Sequence, residues 1–358
     1  MTDGFDIAAV IAAAISGAIS ILSILMSKRN NIELEKIKND LEIKKDEQTA
    51  RRDYEYEARK RLYQECEPIL FQFAELSESA LKRIYALARN ARDGNLGPDR
   101  FWLSTDHYFI RSTIYRLIAP MAAFKILQRR LTSIDLNLDK AINIQYHLAK
   151  ILYYTFSSSL DLAKSEPDIP YDPDFIGIDS KDLTDAKKQE IRTKQPEKYR
   201  LQGLKVGKLD ILIEALILIE NGKDVRIKSF GEFELEFFEQ LGETKTSVRS
   251  DRFEIFNTLF SYFHPKTRPV LWRTLITQAY LYNAIISIRK NPDKEFTNFG
   301  EIKTLFKIED TKLECNWKQP NEVISDDDFM KSFTASENYI KKQFTDIINL
   351  NDLSLYTN

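Results

Sequence analysis

The sequence predicts an all-α protein: a single N-terminal transmembrane helix that continues into a long stalk helix and a multi-helix cytoplasmic domain. Three observations predict it. The 358 residues hold only 11 Gly and 11 Pro while 30% are charged, a shortage of turn-formers that argues against barrels and sandwiches. The run Phe5–Met26 contains one ionisable residue, Asp6, at its outer edge. Beyond it, apolar residues recur at three- and four-residue spacing. The length suits two or three domains with a real core. A net charge of −2 gives no global case for nucleic-acid binding and leaves only local basic patches to consider. Cys66, Cys315, His107, His147 and His264 are the only residues of their types, and none stands at CxxC, HxxxH or HExxH spacing. No metal centre and no cofactor is therefore expected. Two isolated cysteines fit a reducing compartment.

The first element, residues 1–27, reads as the anchor. Phe5–Met26 spans about 33 Å as a helix, against a hydrocarbon core of roughly 30 Å. The competing reading is a cleaved secretory signal, which carries positive charge before its apolar stretch. Here Asp3 and Asp6 precede the run and Lys28 and Arg29 follow it. The positive-inside rule then places everything after Lys28 in the cytoplasm, in one pass of the inner membrane with the N-terminus outside. On a helical wheel the small residues Ala9, Ala13, Ser16, Gly17, Ser20 and Ser23 gather in one arc, and most of the large ones in the other. Small residues at four-residue spacing let helices approach closely, and the serine hydroxyls can bond between helices or back to their own carbonyls. Two readings stay open for this face, a tight helix bundle or the lining of a narrow pore. Both need self-association.

Residues 28–64 read as a stalk. Lys28–Arg61 carries eleven basic and nine acidic residues, interleaved. Leu34, Ile37 and Leu41 start a coiled-coil seam that Lys44, Gln48 and Arg51 then interrupt. Residues 65–164 form the first part of the cytoplasmic domain. A helix with Ile69, Leu70, Phe73, Leu76, Leu81, Ile84 and Leu87 ends at the glycine- and proline-bearing stretch Asp93–Pro98. Phe109–Leu131 reads as a buried helix kinked near Pro120, and Asp135–Leu162 as another. Residues 165–200, with Pro167, Pro170, Pro173 and Pro196 among charges, form the linker or loop. The second part, residues 201–358, is expected to hold helices at Leu201–Glu220, Phe230–Leu241, Phe253–Phe263, Val270–Ile288 and Asp326–Leu350. A small hairpin is expected across Ile302–Trp317.

The chemistry is sparse. Gly203-Leu-Lys-Val-Gly207-Lys208 falls one residue short of a phosphate loop and has Leu209 where Ser or Thr would hold magnesium, so it reads as two small residues admitting close packing. Arg111, Arg116, Lys125, Arg129 and Arg130 form a basic cluster able to bind a phosphate-bearing signal or an RNA backbone. The bland alternative pairs Arg111 and Arg116 with acids such as Asp135 or Asp139, with Asp106 capping the helix that follows.

The segment Arg100-Phe-Trp-Leu-Ser-Thr-Asp-His107 resembles the Arg–His signature of the all-helical HEPN ribonucleases, with apolar Phe101 where a polar residue is common. That resemblance covers eight residues. It implies a dimer in which Arg100 binds phosphate and His107 serves in acid–base cleavage of RNA. In layout alone the chain is similar to membrane effectors of bacterial antiviral systems, where a short anchor carries a larger sensing domain. The expected function is a non-enzymatic homo-oligomer at the bilayer, gated by a protein, RNA or small-molecule signal and acting as a pore or a membrane perturbation. A tethered HEPN-like ribonuclease and a passive scaffold are the alternatives.

Overall fold

The computed structural model describes residues 3–92, 95–97, 102–103, 108–131, 135–166, 184, 186, 202–220, 224–237, 253–261, 263–265, 268–290 and 326–350. They are mostly helical with one two-stranded sheet. The chain divides into two units, residues 1–61 and 62–358.

The first helix, α1 (Asp3–Arg92), is 90 residues long. Its part in the first unit, about 90 Å of helix, is exposed on every side from Ile15 to Tyr54. The apolar side chains Ile15, Ile19, Leu22, Leu25, Leu34, Ile37 and Leu41 are among the exposed large ones. Exposed pairs such as Arg51–Glu55 at 3.2 Å add only a few tenths of a kcal/mol each, roughly 0.3–0.5. Among the described residues no helix is long and apolar enough to cross a membrane. The side chains of residues 1–10, 13 and 14 lie outside the described set. What remains without a break, residues 15–26, covers about 18 Å of helix against a core of roughly 30 Å.

In the second unit α1 acquires a buried stripe: Leu62, Cys66, Ile69, Phe73, Ala80, Ile84, Leu87 and Ala91. That spacing turns one face of the helix inward. It ends at Arg92, at the start of the glycine-bearing stretch. The second helix, α2 (Tyr108–Arg130), runs through Pro120 as one element and is buried from Ile110 to Leu127 over most of its surface. Ser112 and Thr113 tolerate burial by donating to the Phe109 carbonyl, at 3.2 and 2.7 Å.

The single helix expected over Asp135–Leu162 is broken into pieces. A 3-10 turn at Leu136–Leu138 precedes α3 (Lys140–Tyr154), and another at Thr155–Ser157 separates it from α4 (Ser159–Lys164). The reason is capping. Asp139 is extended and its carboxylate accepts the Ile142 N–H at 2.9 Å, which starts a new helix there. Past Tyr154, the hydroxyls of Thr155 and Ser157 bond to the carbonyls three residues back and tighten the chain.

The helix expected over Leu201–Glu220 is corrected most. Only α5 (Val206–Glu214) is helical, and strand β1 (Ile217–Glu220) pairs antiparallel with β2 (Asp224–Ile227), with Ile217 opposite Ile227 and Glu220 opposite Asp224. The run Ile217-Leu-Ile is rich in β-branched residues, and Asn221-Gly222 follows in sequence, the strongest short signal for a hairpin. The hairpin expected at Ile302–Trp317 and most of the 165–200 stretch lie outside the described residues.

A capping box opens α6 (Phe230–Phe237): the Ser229 N–H donates to Glu232 at 2.7 Å, and the Glu232 N–H donates to Ser229 Oγ at 3.3 Å. After α7 (Glu254–Phe260) comes α8 (Pro269–Lys290), which packs on α3, α4 and the last helix, α9 (Asp326–Leu350). Pro269 suits the first helical position. Buried Gln202 supplies the cap from a distance, its Oε1 accepting the N–H groups of Val270 and Leu271 at 2.9 and 3.2 Å. Arg273, also buried, donates Nη1 to the carbonyls of Leu162, Ala163 and Ser165, so a cation closes the C-terminal end of α4.

Candidate functional site

The basic cluster of α2 is four ion pairs and one remainder. Arg111 Nη1 lies 3.5 Å from Glu234 on α6, Lys125 Nζ 3.0 Å from Asp210 on α5, and Arg129 Nη2 2.6 Å from Glu214, also on α5. Arg130 Nη1 lies 3.5 Å from Glu65 on α1. The acids are thus not the neighbours in sequence, Asp135 and Asp139. Asp135 accepts the Asn137 N–H, and Asp139 caps α3 and accepts the Tyr63 hydroxyl at 2.7 Å. The pairs tie α2 to three other helices. Arg116 is the remainder: half-buried, with no ion pair among the described residues.

Beside Arg116 lies a cation that no sequence motif marks. Arg83, on α1, is 5% exposed. Its Nη2 donates to Ser112 Oγ at 2.8 Å, and its guanidinium carbon stands 4.6 Å from the Phe109 ring centroid. Its Nε has no hydrogen-bond partner. Burial, and then the like charge of Arg116, lower the guanidinium to about 10, which leaves it protonated at neutral pH. A signal was present in the sequence. Leu76, Ala80, Arg83 and Leu87 step by four, three and four, so the arginine interrupts an apolar stripe.

A second polar constellation joins α2, α3 and α5. Tyr153 donates its hydroxyl to Asp210, which also takes Lys125, and the Lys125 ammonium stands 4.7 Å from the Tyr153 ring centroid. Burial, reinforced by the Asp210 carboxylate, pushes the Tyr153 hydroxyl well above its usual range. Desolvation raises Asp210, but the hydrogen bonds from Tyr153 and Lys125 outweigh it and the carboxyl ends below its ordinary value. Such a phenol stays a donor and such a carboxylate stays an acceptor, so the group braces three helices.

The residues resembling the HEPN signature, Arg100 and His107, lie outside the described residues, as does Asp106. On the anchor face, Ala9 and Ala13 have side chains outside the described set, while Ser16, Gly17, Ser20 and Ser23 are exposed. Ser20 donates to the Ser16 carbonyl at 2.9 Å, the intrahelical option for its hydroxyl. A Cβ on Gly17 would meet nothing within 4 Å. Gly203 is the opposite case: its Cβ would collide with Ser159 and Phe156, so the first glycine of the near phosphate loop is a packing contact, and Gly207 is open. Among the described residues no group of three His, Cys, Asp or Glu side chains is placed to hold a metal ion.

These features define a helical protein with an exposed stretch of N-terminal helix and a cationic seam between α1 and α2. No protein-family model, curated protein or solved structure matches the chain.

Proposed function

We propose that this chain is a membrane-tethered, self-associating helical protein. Residues 62–358 receive a cytoplasmic signal, and α1 passes it to the bilayer as a pore or a perturbation. One observation carries the reading: from Ile15 to Leu41, α1 exposes large apolar side chains. Apolar surface left in water forfeits about 25 cal/mol per Å², so such a stripe calls for cover. Two covers suit two stretches. The 22 residues Phe5–Met26 match a hydrocarbon core, with Lys28 and Arg29 at its cytoplasmic edge in the inner membrane. Leu34, Ile37 and Leu41 match the seam of a second copy. The Ala9, Ala13, Ser16, Gly17, Ser20 and Ser23 face then lies between copies within the bilayer.

The test is the mass of the full-length protein in nanodiscs together with dye leakage from liposomes. A ring-sized oligomer that leaks is the expected result. Gly17→Leu and Ser20→Leu should lose assembly or leakage while still inserting. A chain recovered without lipid or detergent, or variants indistinguishable from the parent, would sink the proposal. A monomer or dimer that does not leak would leave the anchor as a tether on a scaffold.

A further inference from the structure

We propose that Arg83 and Arg116, with Ser112 positioning the Arg83 guanidinium, form an oxyanion site that takes the phosphoryl group of a phosphomonoester. The site rests on charge left over after pairing, whether or not residues 1–61 enter a bilayer. Four of the five cations in the α2 cluster have an acid within 3.5 Å. Arg116 has none among the described residues, and the buried guanidinium beside it has none either. A buried cation without a counter-charge costs several kcal/mol, and an apolar side chain at position 83 would complete the stripe of Leu76, Ala80 and Leu87. An arginine kept there, next to a like charge and with no acid paired to it among the described residues, is explained by an external anion.

The donor set selects the anion. Ser112 and Arg116 stand one turn apart on α2 and so share a face, and Arg83 reaches Ser112 from α1. The Phe109 ring covers the Arg83 guanidinium, holding its plane while the Nε–H remains without an acceptor. Guanidinium groups match phosphate oxygens two bonds at a time, and Ser112, whose hydroxyl donates to the Phe109 carbonyl, holds Arg83 in place through its Oγ. Two adjacent guanidiniums are neutralised by a phosphomonoester, which carries about −1.5 to −2 at neutral pH. A single carboxylate would leave one positive charge buried.

The test uses the full chain in neutral detergent, with inorganic phosphate as the probe and chloride at equal ionic strength as the control. Phosphate should raise the melting temperature of the parent where chloride does not. Arg83→Met and Arg116→Gln should each lose that shift and bind phosphate at least tenfold more weakly by titration calorimetry. If Arg83→Met fails to fold, Arg116→Gln, at a half-buried position, decides the matter alone. A parent that responds neither to free phosphate nor to phosphatidic acid, or a response retained by either folded variant, would overturn the site. A second arm separates the sources of the phosphoryl group, comparing free phosphate with nanodiscs containing phosphatidic acid. An Arg116-dependent effect seen only with the lipid assigns the site to a headgroup. The same effect with free phosphate assigns it to a soluble ligand.

Discussion

Gly203→Ala is expected to be among the most damaging small substitutions in the chain. A methyl at Gly203 would lie 2.6 Å from Ser159 Cβ, 2.7 Å from its Oγ and 2.8 Å from the Phe156 carbonyl oxygen. The hydroxyl can rotate away, but Ser159 Cβ is fixed at the first residue of α4 and the Phe156 carbonyl in the turn before it. Relief must come from moving residues 202–204. Leu204 would then lose its bond to the Phe156 carbonyl, at 2.6 Å, and Gln202 its hold on the first N–H groups of α8. Overpacking costs about 1–3 kcal/mol and a lost hydrogen bond about 1, so the total is about 2–4 kcal/mol. At about 2 °C per kcal/mol for a unit of this size, the melting temperature should fall by roughly 4–8 °C. Gly207→Ala is the internal control, because nothing lies within 4 Å and the residue sits in α5. It should be neutral or up to about 1 kcal/mol more stable. Thermal melts of the full chain by far-UV circular dichroism read both. Equal effects of the two substitutions, or a Gly203→Ala protein melting with the parent, would refute the steric argument.

Lys228→Met should cost about 2–3 kcal/mol in urea denaturation, since the ammonium donates to the buried Ala215 carbonyl at 2.7 Å and meets Glu236 at 2.6 Å. Arg129→Ala breaks a pair nearly half exposed on both sides and should cost under about 1 kcal/mol; a larger loss than Lys228→Met would contradict the burial reading. Cys66 is fully buried, and burial followed by the Glu65 charge pushes its thiol up to about 11. In a Cys315→Ser background a disulfide reagent at mildly alkaline pH should therefore label it only on unfolding, and rapid labelling of the native protein would count against this. Glu232 is held near 2 by the Arg226 guanidinium and by Ser229. Its folded value lies below the unfolded one, so its contribution is complete above about pH 4.3 and is lost as pH falls toward 2. The stability gap between the parent and Glu232→Gln should shrink over that window, and a gap constant from neutral pH to pH 2 would refute it.

Helix boundaries set by local signals are legible in the chain. The end of α1 at the Asp93–Pro98 stretch, the extent of α2 and the bounds Asp326–Leu350 of α9 follow from breakers and periodicity alone. The reading failed where two local signals competed. Leu212–Ile219 is apolar enough for either helix or strand, and the Asn221-Gly222 pair favoured the strand. It failed again inside Asp135–Leu162, where unbroken apolar spacing hid a capping aspartate and a run of hydroxyl residues.

What the sequence determined by itself is therefore the helical character, the charged and apolar stretches of the N-terminal helix, and the presence of five clustered cations on one helix. Those depend on residues within a turn or two of each other. Which of the cations are neutralised was decided only by the tertiary structure. Arg129 meets an acid 85 residues away, and Arg83 meets Ser112 from 29 residues away, with no acid paired to it among the described residues. Pairing across such distances follows from how the buried stripes pack, and packing sums contacts from the whole second unit. The same packing turned an arginine inside an apolar stripe, a single letter in α1, into a buried charge with no acid paired to it among the described residues.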